Sequence, residues 1–361
     1  MVDTPALFRP FELAGVTLRN RIGVSPMCQY SSQDGTATDW HLVHLGARAS
    51  GGAGLVIAEA TAVTAEGQIT PGDAGIWRDD HVAPLARITR FLRQQGAVAG
   101  IQLAHAGRKA SAAIPWEGGA HLPDEHGGWT PLAPSALAFG GELSRVPKAM
   151  DARDIAELKH AFEQATRRSL EAGYEWLEIH AAHGYLLHEF LSPLSNQRTD
   201  EYGGSFDARI RLLLETVEIV RRVWPERLAL TVRLSCTDWV EGGWDIEQSI
   251  ELSRRLKTLG VALIDCSTGG LVPDAKIPVG PSYQVHFAER IRREASIATA
   301  AVGLITDPHQ ANEIVESGKA DLVYLAREFL RDASWPLRAA KALGAPGAVT
   351  APIQYGRAWH R

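Results

Sequence analysis

The sequence predicts an α/β fold, a (β/α)8 TIM barrel that occupies the whole chain, residues 1–361, as a single domain. Short apolar runs alternate with longer helical patterns, and this alternation repeats eight times. Most of the runs are continuously apolar, as expected for parallel strands that helices cover on both faces. The composition, with 45% hydrophobic and 22% charged residues, is typical of a globular protein with a substantial core.

Each predicted strand is a short apolar run bounded by turn residues or helix signals. The eight strands are expected at Ile22–Ser25, Leu55–Ala60, Ala99–Leu103, Trp176–His180, Leu228–Ser235, Leu263–Ser267, Ile297–Val302 and Leu322–Ala326. The carboxyl ends of these strands would meet at one rim of the barrel.

Several of the intervening segments carry clear helix boundaries. Asp151 is expected to cap an amphipathic helix, and Gly173 stands where a left-handed residue commonly follows a helix. Further amphipathic helices are expected from Phe206 to Val223 and from Ile246 to Leu259.

A doubly wound sheet is the structural alternative. That fold usually carries a G-x-G-x-x-G fingerprint after its first strand, and Ile22-Gly-Val-Ser-Pro-Met27 contains none. The glycine-rich stretch Gly51-Gly-Ala-Gly54 precedes a strand, which is the wrong side for dinucleotide binding. The barrel is therefore favoured.

Two segments depart from a minimal barrel. Residues 110–150, after the third strand, form a long connection rich in Pro, Gly and Trp, which is typical of a lid or binding loop. The C-terminal tail, residues 351–361, contains Tyr355 and Trp359 and is too aromatic for a solvated terminus. We expect this tail at a subunit interface.

Charge and composition exclude several classes of protein. The net charge is −5 with no basic block, which gives no support for nucleic-acid or anionic-membrane partners. Cys28, Cys236 and Cys266 are too few for a disulfide framework. No run approaches a membrane span, and the N-terminus lacks a signal-peptide pattern. We expect a cytoplasmic protein.

The most informative motif is His180-Ala-Ala-His183-Gly-Tyr185, at the end of the fourth predicted strand. Imidazoles can donate hydrogen bonds to an oxygen that gains negative charge, and a phenol can donate a proton. Active sites of such barrels lie at this end of the strands. The motif therefore indicates chemistry on a carbonyl-conjugated substrate.

Other polar groups follow the remaining strands. They are the thiol of Cys28, the amide of Gln102 and the guanidinium of Arg233. Strands seven and eight end near Gly303 and Arg327, where barrels frequently bind phosphate through backbone N–H groups and a cation. A phosphorylated cofactor is expected there.

Several motifs resemble the old yellow enzyme family, and the likeness extends from Leu7 to Trp359. The matching motifs are Leu18-Arg-Asn-Arg-Ile22, Ser25-Pro-Met-Cys28, Gly100-Ile-Gln-Leu-Ala-His-Ala-Gly-Arg-Lys109, His180-Ala-Ala-His-Gly-Tyr-Leu-Leu-His188, Leu191-Ser-Pro-Leu-Ser-Asn196 and Arg198-Thr-Asp-Glu-Tyr-Gly-Gly-Ser205. Ser-Pro-Met-Cys and the C-terminal Gln354-Tyr355-x-Arg357 resemble the bacterial thermophilic-like (xenobiotic reductase-like) subclass of FMN-dependent ene-reductases.

The resemblance implies non-covalent FMN at the barrel mouth. By motif match, the cofactor-binding residues would be Ser25, Pro26, Met27, Cys28 and Ala60 at the flavin ring, Gln102 at its pyrimidine edge, Arg233 near N1 and O2, and Ser267, Gly269, Gly303, Ala326 and Arg327 along the ribityl chain and phosphate. The subclass often has glycine where this chain has Ala326.

The resemblance also implies a ping-pong reaction in which NADPH gives a hydride to flavin N5. Activated alkenes (enones, enals, maleimides and nitroalkenes) would then receive the hydride at Cβ. His180 and His183 would bind the carbonyl or nitro oxygen, and Tyr185 would protonate Cα.

Four further residues receive roles from the resemblance. Cys28 would tune the flavin potential and touch the substrate, while Tyr30 and Lys109 would shape the pocket. Arg357 would reach the neighbouring subunit's site, which implies a homodimer or a dimer of dimers.

Structural interpretations compete at some positions. The histidine pair could be packing, Cys28 a buried inert thiol, and Arg233 part of an ion pair, although ligand contact is favoured for both Cys28 and Arg233. Glu178 is expected in the barrel core, and no catalytic role is assigned to His188. No such role is assigned to His105 either, and Cys236 and Cys266 are taken as structural.

Alternative functions also remain open. A related flavin barrel could use a quinone, a nitro compound or a dienoyl-CoA as acceptor, or oxidise amines. Relatives of the last two kinds typically add an iron–sulfur cluster, for which three dispersed cysteines cannot supply four thiolates. A metal-dependent hydrolase using the histidine pair, or a non-catalytic ligand-binding barrel, are candidates from other classes.

Overall fold

Eight parallel strands form a closed barrel in the computed structural model, which describes residues 4–359. In chain order they are β1 (Ile22–Val24), β2 (Leu55–Ala62), β3 (Val98–Ala104), β4 (Trp176–Ala181), β5 (Ala229–Ser235), β6 (Leu263–Ser267), β7 (Ala298–Ala301) and β8 (Leu322–Leu325). Each strand pairs with its neighbour in sequence, and β8 closes on β1 with Val323 opposite Ile22. The predicted barrel is confirmed.

A helix follows every strand of the barrel. These helices are α1 (Asp39–Ser50), α2 (Val82–Gln94), α3 (Ala152–Glu171), α4 (Phe206–Val223), α5 (Ile246–Thr258), α6 (Val285–Ala295), α7 (Pro308–Glu316) and α8 (Trp335–Ala342). Shorter helices occupy Leu186–Leu191, Arg327–Arg331 and Gly356–Trp359, and 3-10 turns occupy Ala6–Phe8, Asp79–His81, Gly107–Lys109, Pro115–Glu117, Asp124–His126 and Ile353–Tyr355. No helix within residues 4–359 is long and apolar enough to span a bilayer.

Local signals set the helix ends as predicted. The carboxylate of Asp151 accepts hydrogen bonds from the N–H groups of Arg153 and Asp154, which begins α3. Gly173, just past its end, has φ +83°, a conformation that costs glycine little. The predicted strand bounds agree with the observed ones to within two residues.

The polar part of the barrel core lies on neighbouring strands. Glu178 is fully buried, as predicted, and accepts a 2.8 Å hydrogen bond from Nε2 of Gln102 on β3. Burial, with repulsion from Asp265 added, raises the pKa of Glu178 to about 8. This carboxyl is therefore held largely neutral below the site.

The long connection at residues 110–150 is ordered by backbone pairing. Two-residue strands at Leu132–Ala133 and Lys148–Ala149 pair in parallel, and the N–H of Leu122 donates to the carbonyl of Ser111 at 2.7 Å. A hairpin of Phe11–Leu13 with Val16–Leu18 lies near the start of the chain. Trp116 and Phe139 of the 110–150 connection contact Tyr30 and Lys109, which follow β1 and β3.

The C-terminal tail forms a 3-10 turn and a short helix on the outside of the barrel. Ile353 and Tyr355 are exposed, whereas Trp359 packs partly against the core beside Leu337 and Val349. Residues 360 and 361 of the predicted tail lie outside the described residues. The aromatic tail thus docks in part on its own barrel.

Candidate active site

The barrel brings most of the predicted site residues to one rim, because they follow or end its parallel strands. Pro26, Met27 and Cys28 come after β1, Ala60 lies in β2 and Gln102 in β3. Ser25 and Ala326 stand one residue beyond the ends of β1 and β8, His180 lies near the end of β4, Arg233 in β5, and Ser267 ends β6.

The two histidines and the tyrosine of the central motif form a compact cluster. The ring centroids of His180 and His183 are 5.2 Å apart with the planes at 89°, and those of His180 and Tyr185 are 4.9 Å apart at 87°. The edge-to-face arrangement is a favoured aromatic geometry and limits rotation of the rings. The predicted trio is therefore a single side-chain cluster.

Both imidazoles are neutral. Burial, with the nearby guanidinium of Arg233 as the next cause, holds the pKa of His180 and of His183 well below the ordinary value. Nδ1 of His180 accepts a 3.2 Å hydrogen bond from the N–H of Ala182, so the ring proton lies on Nε2. His180 is thus a neutral hydrogen-bond donor.

The backbone of His183 is strained and firmly held. Its φ is +60°, a left-handed conformation that costs a non-glycine residue roughly 1–3 kcal/mol. The N–H donates to Oγ of Ser235 at 2.9 Å, and the carbonyl accepts from Nζ of Lys109 at 2.8 Å. Nε2 lies 2.7 Å from Oγ of Ser267. Three separate elements therefore fix this residue.

Tyr185 retains its phenolic proton. Burial raises its pKa well above the ordinary value, with Cys28 and Tyr30 adding to the shift. Nζ of Lys109 lies 5.7 Å from the centre of its ring. A half-buried phenol with a high pKa is an acid that gives up its proton only to a strong base, such as a carbanion.

Cys28 and Tyr30 lie on the loop after β1. Burial raises the pKa of the Cys28 thiol well above its usual range, and Asp73 and Glu59 add repulsion. The side chain is a neutral, half-buried thiol and therefore a poor nucleophile. The N–H of Gln29, between the two residues, donates to Oε2 of Glu59 at 3.0 Å and anchors the loop.

Residues of the long connection contact the predicted pocket. The rings of Trp116 and Tyr30 meet edge to face, with their centroids 5.7 Å apart. Nζ of Lys109 lies 4.3 Å from the centroid of the Phe139 ring. Burial lowers the pKa of Lys109 to about 8. The 110–150 segment therefore borders the residues predicted to shape the pocket.

Arg233 has a protein partner as well as a place at the rim. Its Nε lies 2.9 Å from Oδ2 of the fully buried Asp265, at an angle that makes the contact an ion pair rather than a linear hydrogen bond. Burial raises the pKa of Asp265 to about 6, and Arg233 opposes the shift. The structural ion pair, which the sequence favoured less than a ligand contact, is present.

A cavity of about 160 Å³ lies where the phosphate was predicted. Its lining includes four of the five residues predicted along the ribityl chain and phosphate, namely Ser267, Gly303, Ala326 and Arg327. Gly303 has φ +123°, and a Cβ there would lie 3.0 Å from Nε2 of Gln284. The position thus requires glycine, and the cavity suits an anionic group beside a guanidinium.

Gly269 follows the end of β6 by two residues, and Arg357 lies in the C-terminal tail. The N–H of Gly269 donates to the carbonyl of Thr237 at 2.9 Å, and Gly269 is absent from the cavity lining. Arg357 is exposed on the short helix Gly356–Trp359, outside the barrel. The roles predicted for them, at the ribityl chain for Gly269 and at the neighbouring subunit's site for Arg357, stay predictions.

Several residues beside the candidate site carry no clear signal in the sequence. Tyr283 and Gln284 line the cavity beside Arg327 from the segment before α6, which carries no recognisable motif. Glu189 also went unnoticed; its Oε1 accepts a 2.8 Å hydrogen bond from the N–H of Arg108, next to Lys109. Its position in the short helix after Tyr185 was the available signal.

Comparisons with known proteins agree with this geometry. The chain matches the NADH:flavin oxidoreductase / NADH oxidase family over residues 6–345. It is 49% identical over 355 residues to an NADPH dehydrogenase of Geobacillus sp. (strain WCH70), covering 98% of each chain. An NADPH dehydrogenase of Bacillus subtilis (strain 168) is 48% identical over 355 residues, which is 98% of this chain and 99% of the relative.

A solved structure gives the same result. The old yellow enzyme homologue from Zymomonas mobilis superposes with a TM-score of 0.77 at 28% identity, covering 97% of this chain and 96% of that one. The predicted family, the flavin-dependent oxidoreductase class and the cofactors FMN and NADPH are confirmed at the level of the family. The chain belongs to the NADH:flavin oxidoreductase / NADH oxidase family, with the old yellow enzymes.

Proposed function

We propose that this protein is an FMN-dependent ene-reductase that uses NADPH to saturate activated alkenes such as enones, enals, maleimides and nitroalkenes. The observation that carries the proposal is the cluster of two neutral imidazoles and one protonated phenol, His180, His183 and Tyr185. The cluster lies on the barrel rim that also holds the phosphate-sized cavity.

The residues present fit FMN. The cavity beside Arg327, with glycine required at Gly303, would hold the phosphate, and Ser267 and Ala326 line it. Ser25, Pro26, Met27, Cys28, Ala60, Gln102 and Arg233 would hold the ring system, and Gly269 the ribityl chain. When bound, FMN supplies the hydride acceptor and donor of the reaction.

The imidazoles would bind the oxygen of the substrate's activating group. Both rings are neutral, and the proton of His180 lies on Nε2, so it can donate without bringing a net charge. As the β carbon gains a hydride, negative charge moves onto the carbonyl or nitro oxygen. Donors already in position stabilise that charge without the cost of reorientation.

Tyr185 would donate the proton that completes saturation at the α carbon. Its raised pKa keeps the phenol protonated at neutral pH, ready for a strongly basic carbon. Lys109 holds the carbonyl of His183 and lies near the Tyr185 ring, so it would shape the pocket between them.

Cys28 and Tyr30 would form another wall of the pocket. The neutral thiol of Cys28 would contact the flavin and the substrate, and tune the flavin potential, without forming a covalent bond. Tyr30 is set by its contact with Trp116. The reductant and the alkene would use this one pocket in turn, which predicts ping-pong kinetics.

We also propose that the protein acts in the cytoplasm as a homodimer or a dimer of dimers. The exposed Arg357 and the exposed side chains of Ile353 and Tyr355 on the tail support this arrangement, because single exposed cations and apolar groups there would gain partners from a second copy. Arg357 would then reach the neighbouring site.

An anaerobic stopped-flow experiment tests the proposed function. NADPH added to the FMN-loaded protein should bleach the flavin absorbance, and 2-cyclohexenone should then restore it. Bleaching without recovery would reject the ene-reductase in favour of another acceptor, such as a quinone. A protein that binds no FMN even after reconstitution would overturn the proposal, as would zinc bound in place of flavin.

A further inference from the structure

We propose that His188 and Asp238 form a positioning pair that sets the turn carrying His183 and Tyr185. The inference rests on the proposed function, because the side chains that it positions act there. Neither residue belongs to the substrate or cofactor pocket described above. Both side chains are fully buried, one on the short helix after β4 and the other in the loop after β5.

The first link is a hydrogen bond to the middle of the turn. Gly184 stands between His183 and Tyr185, and its N–H donates to Nδ1 of His188 at 2.9 Å. A displacement of Gly184 therefore moves both neighbours. The turn has little space, since a Cβ on Gly184 would lie 2.1 Å from the carbonyl oxygen of Gly270.

The second link is the contact between the imidazole and the carboxylate. Nε2 of His188 lies 2.9 Å from Oδ1 of Asp238, a close electrostatic contact whose angle departs from that of a linear hydrogen bond. The other oxygen, Oδ2, accepts hydrogen bonds from Oγ of Ser192 at 2.6 Å and from the N–H of Trp244 at 2.7 Å. These two donors fix the carboxylate.

The carboxylate selects the tautomer that the turn needs. An ionised carboxylate only accepts, so it favours a proton on Nε2 and leaves Nδ1 free to accept from Gly184. Burial raises the pKa of Asp238, but attraction to His188 and the hydrogen bonds outweigh burial and bring the pKa below its ordinary value. Asp238 is therefore ionised at neutral pH.

An Asp238→Asn variant reverses this selection. The oxygen of the new amide has to face Ser192 and the N–H of Trp244, which only donate to it in the native structure, so its NH2 group faces His188. Nε2 must then accept, which moves the ring proton to Nδ1. An Nδ1–H opposes the N–H of Gly184 and displaces the turn.

The test uses the FMN-loaded holoenzyme and its Asp238→Asn variant. We expect kcat/KM for 2-cyclohexenone to fall roughly 10–100-fold, as for outer partners of histidine ligands, with the dissociation constant of FMN unchanged. Nitrogen chemical shifts of the 15N-labelled His188 ring should show a proton on Nε2 in the native protein and on Nδ1 in the variant.

Asp321→Asn is the matched control. Asp321 also accepts from a backbone N–H (Thr299, 3.0 Å) and pairs with a cation (Arg292, 3.0 Å), but it precedes β8 at the other end of the barrel. The Asp321→Asn variant should have a lower free energy of unfolding and an unchanged kcat/KM. A native Nδ1–H tautomer, or an Asp238→Asn variant with native kcat/KM, would overturn the positioning role, and the first readout holds even if the variant fails to fold.

The native enzyme is measured first. If it does not reduce the enone, the proposed function fails, whereas the tautomer measurement still decides whether the pair sets the turn as described. If the native enzyme turns over and its His188 carries the proton on Nδ1, the positioning pair alone fails.

Discussion

The ring of Tyr185 stands perpendicular to the ring of His180, with their centroids 4.9 Å apart. The contact joins the proposed proton donor to one of the proposed oxygen-binding imidazoles. Because His180 lies near the end of β4 and Tyr185 caps the following short helix, a single turn sets the relative position of the two groups.

Tyr185→Phe should slow reoxidation of the reduced enzyme by 2-cyclohexenone about 100-fold or more, since it removes general-acid catalysis. Flavin reduction by NADPH should stay near the native rate, because the phenyl ring keeps the contact with His180. Stopped-flow traces of the two half-reactions check this. An equal loss in both would reject the proton-donor role.

Gly303→Ala should weaken FMN binding about tenfold or more, because a backbone at φ +123° disfavours any side chain and the new Cβ meets Gln284. Titration of the apoprotein by flavin fluorescence measures the dissociation constant. Gly280→Ala is the control, since a Cβ there meets nothing within 4 Å. Equal affinities in the two variants would place the phosphate elsewhere.

Cys28→Ala should keep turnover within about tenfold of native, because a thiol with a raised pKa is a poor nucleophile. The flavin reduction potential should shift, and KM for the enone should rise a few-fold. Spectroelectrochemistry and steady-state kinetics provide these values. A loss of all turnover would indicate covalent catalysis, and no change in either quantity would leave the thiol structural.

Glu189→Gln should flatten the dependence of stability on pH. Burial raises the pKa of Glu189 from 4.5 to about 8, although Arg108 opposes the shift. Because the folded state binds the proton more tightly, the stability that this carboxyl contributes is present below pH 4.5 and is lost as pH rises through about 8.

Urea unfolding at pH 5 and pH 8 measures that slope, which corresponds to roughly 1.4 kcal/mol for each pH unit inside the window. Glu157→Gln, on the exposed face of α3, is the control and should keep the native slope. If Glu189→Gln also keeps it, Glu189 is ionised in the folded protein.

Arg357→Ala should raise KM for the enone about tenfold, the effect of losing a charge-assisted hydrogen bond, without a change in melting temperature. The side chain is exposed on its own chain, so its loss costs the barrel little. Kinetics and thermal unfolding check this. If sedimentation shows that the protein is oligomeric and the Arg357→Ala variant keeps the native KM, Arg357 does not act in the neighbouring subunit's site.

The sequence was a good guide wherever the information is local. Continuous apolar runs located all eight strands, and the N-cap at Asp151 and the glycine at Gly173 located the ends of α3. Because barrel sites gather at the carboxyl ends of strands, the positions of His180, Gln102 and Arg233 in the sequence place them at one rim.

Partners that are distant in the chain could not be predicted in this way. Arg233 pairs with Asp265 because β5 and β6 align these residues, a register that only barrel closure decides. The N–H of Gly269 donates to the carbonyl of Thr237, a partner that no local pattern indicates. A motif specifies residue types, whereas the hydrogen-bond partner of each group depends on the surrounding backbone.

By itself the sequence determined the fold, the family motifs and the rim on which the polar residues gather, because strand periodicity and helix caps act over a few residues. Tertiary structure alone decided the protonation of the site. The neutral imidazoles, the retained phenolic proton of Tyr185 and the tautomer of His180 all follow from burial and from backbone contacts made in the folded chain. Desolvation depends on what packs around a group, and a linear sequence does not state that.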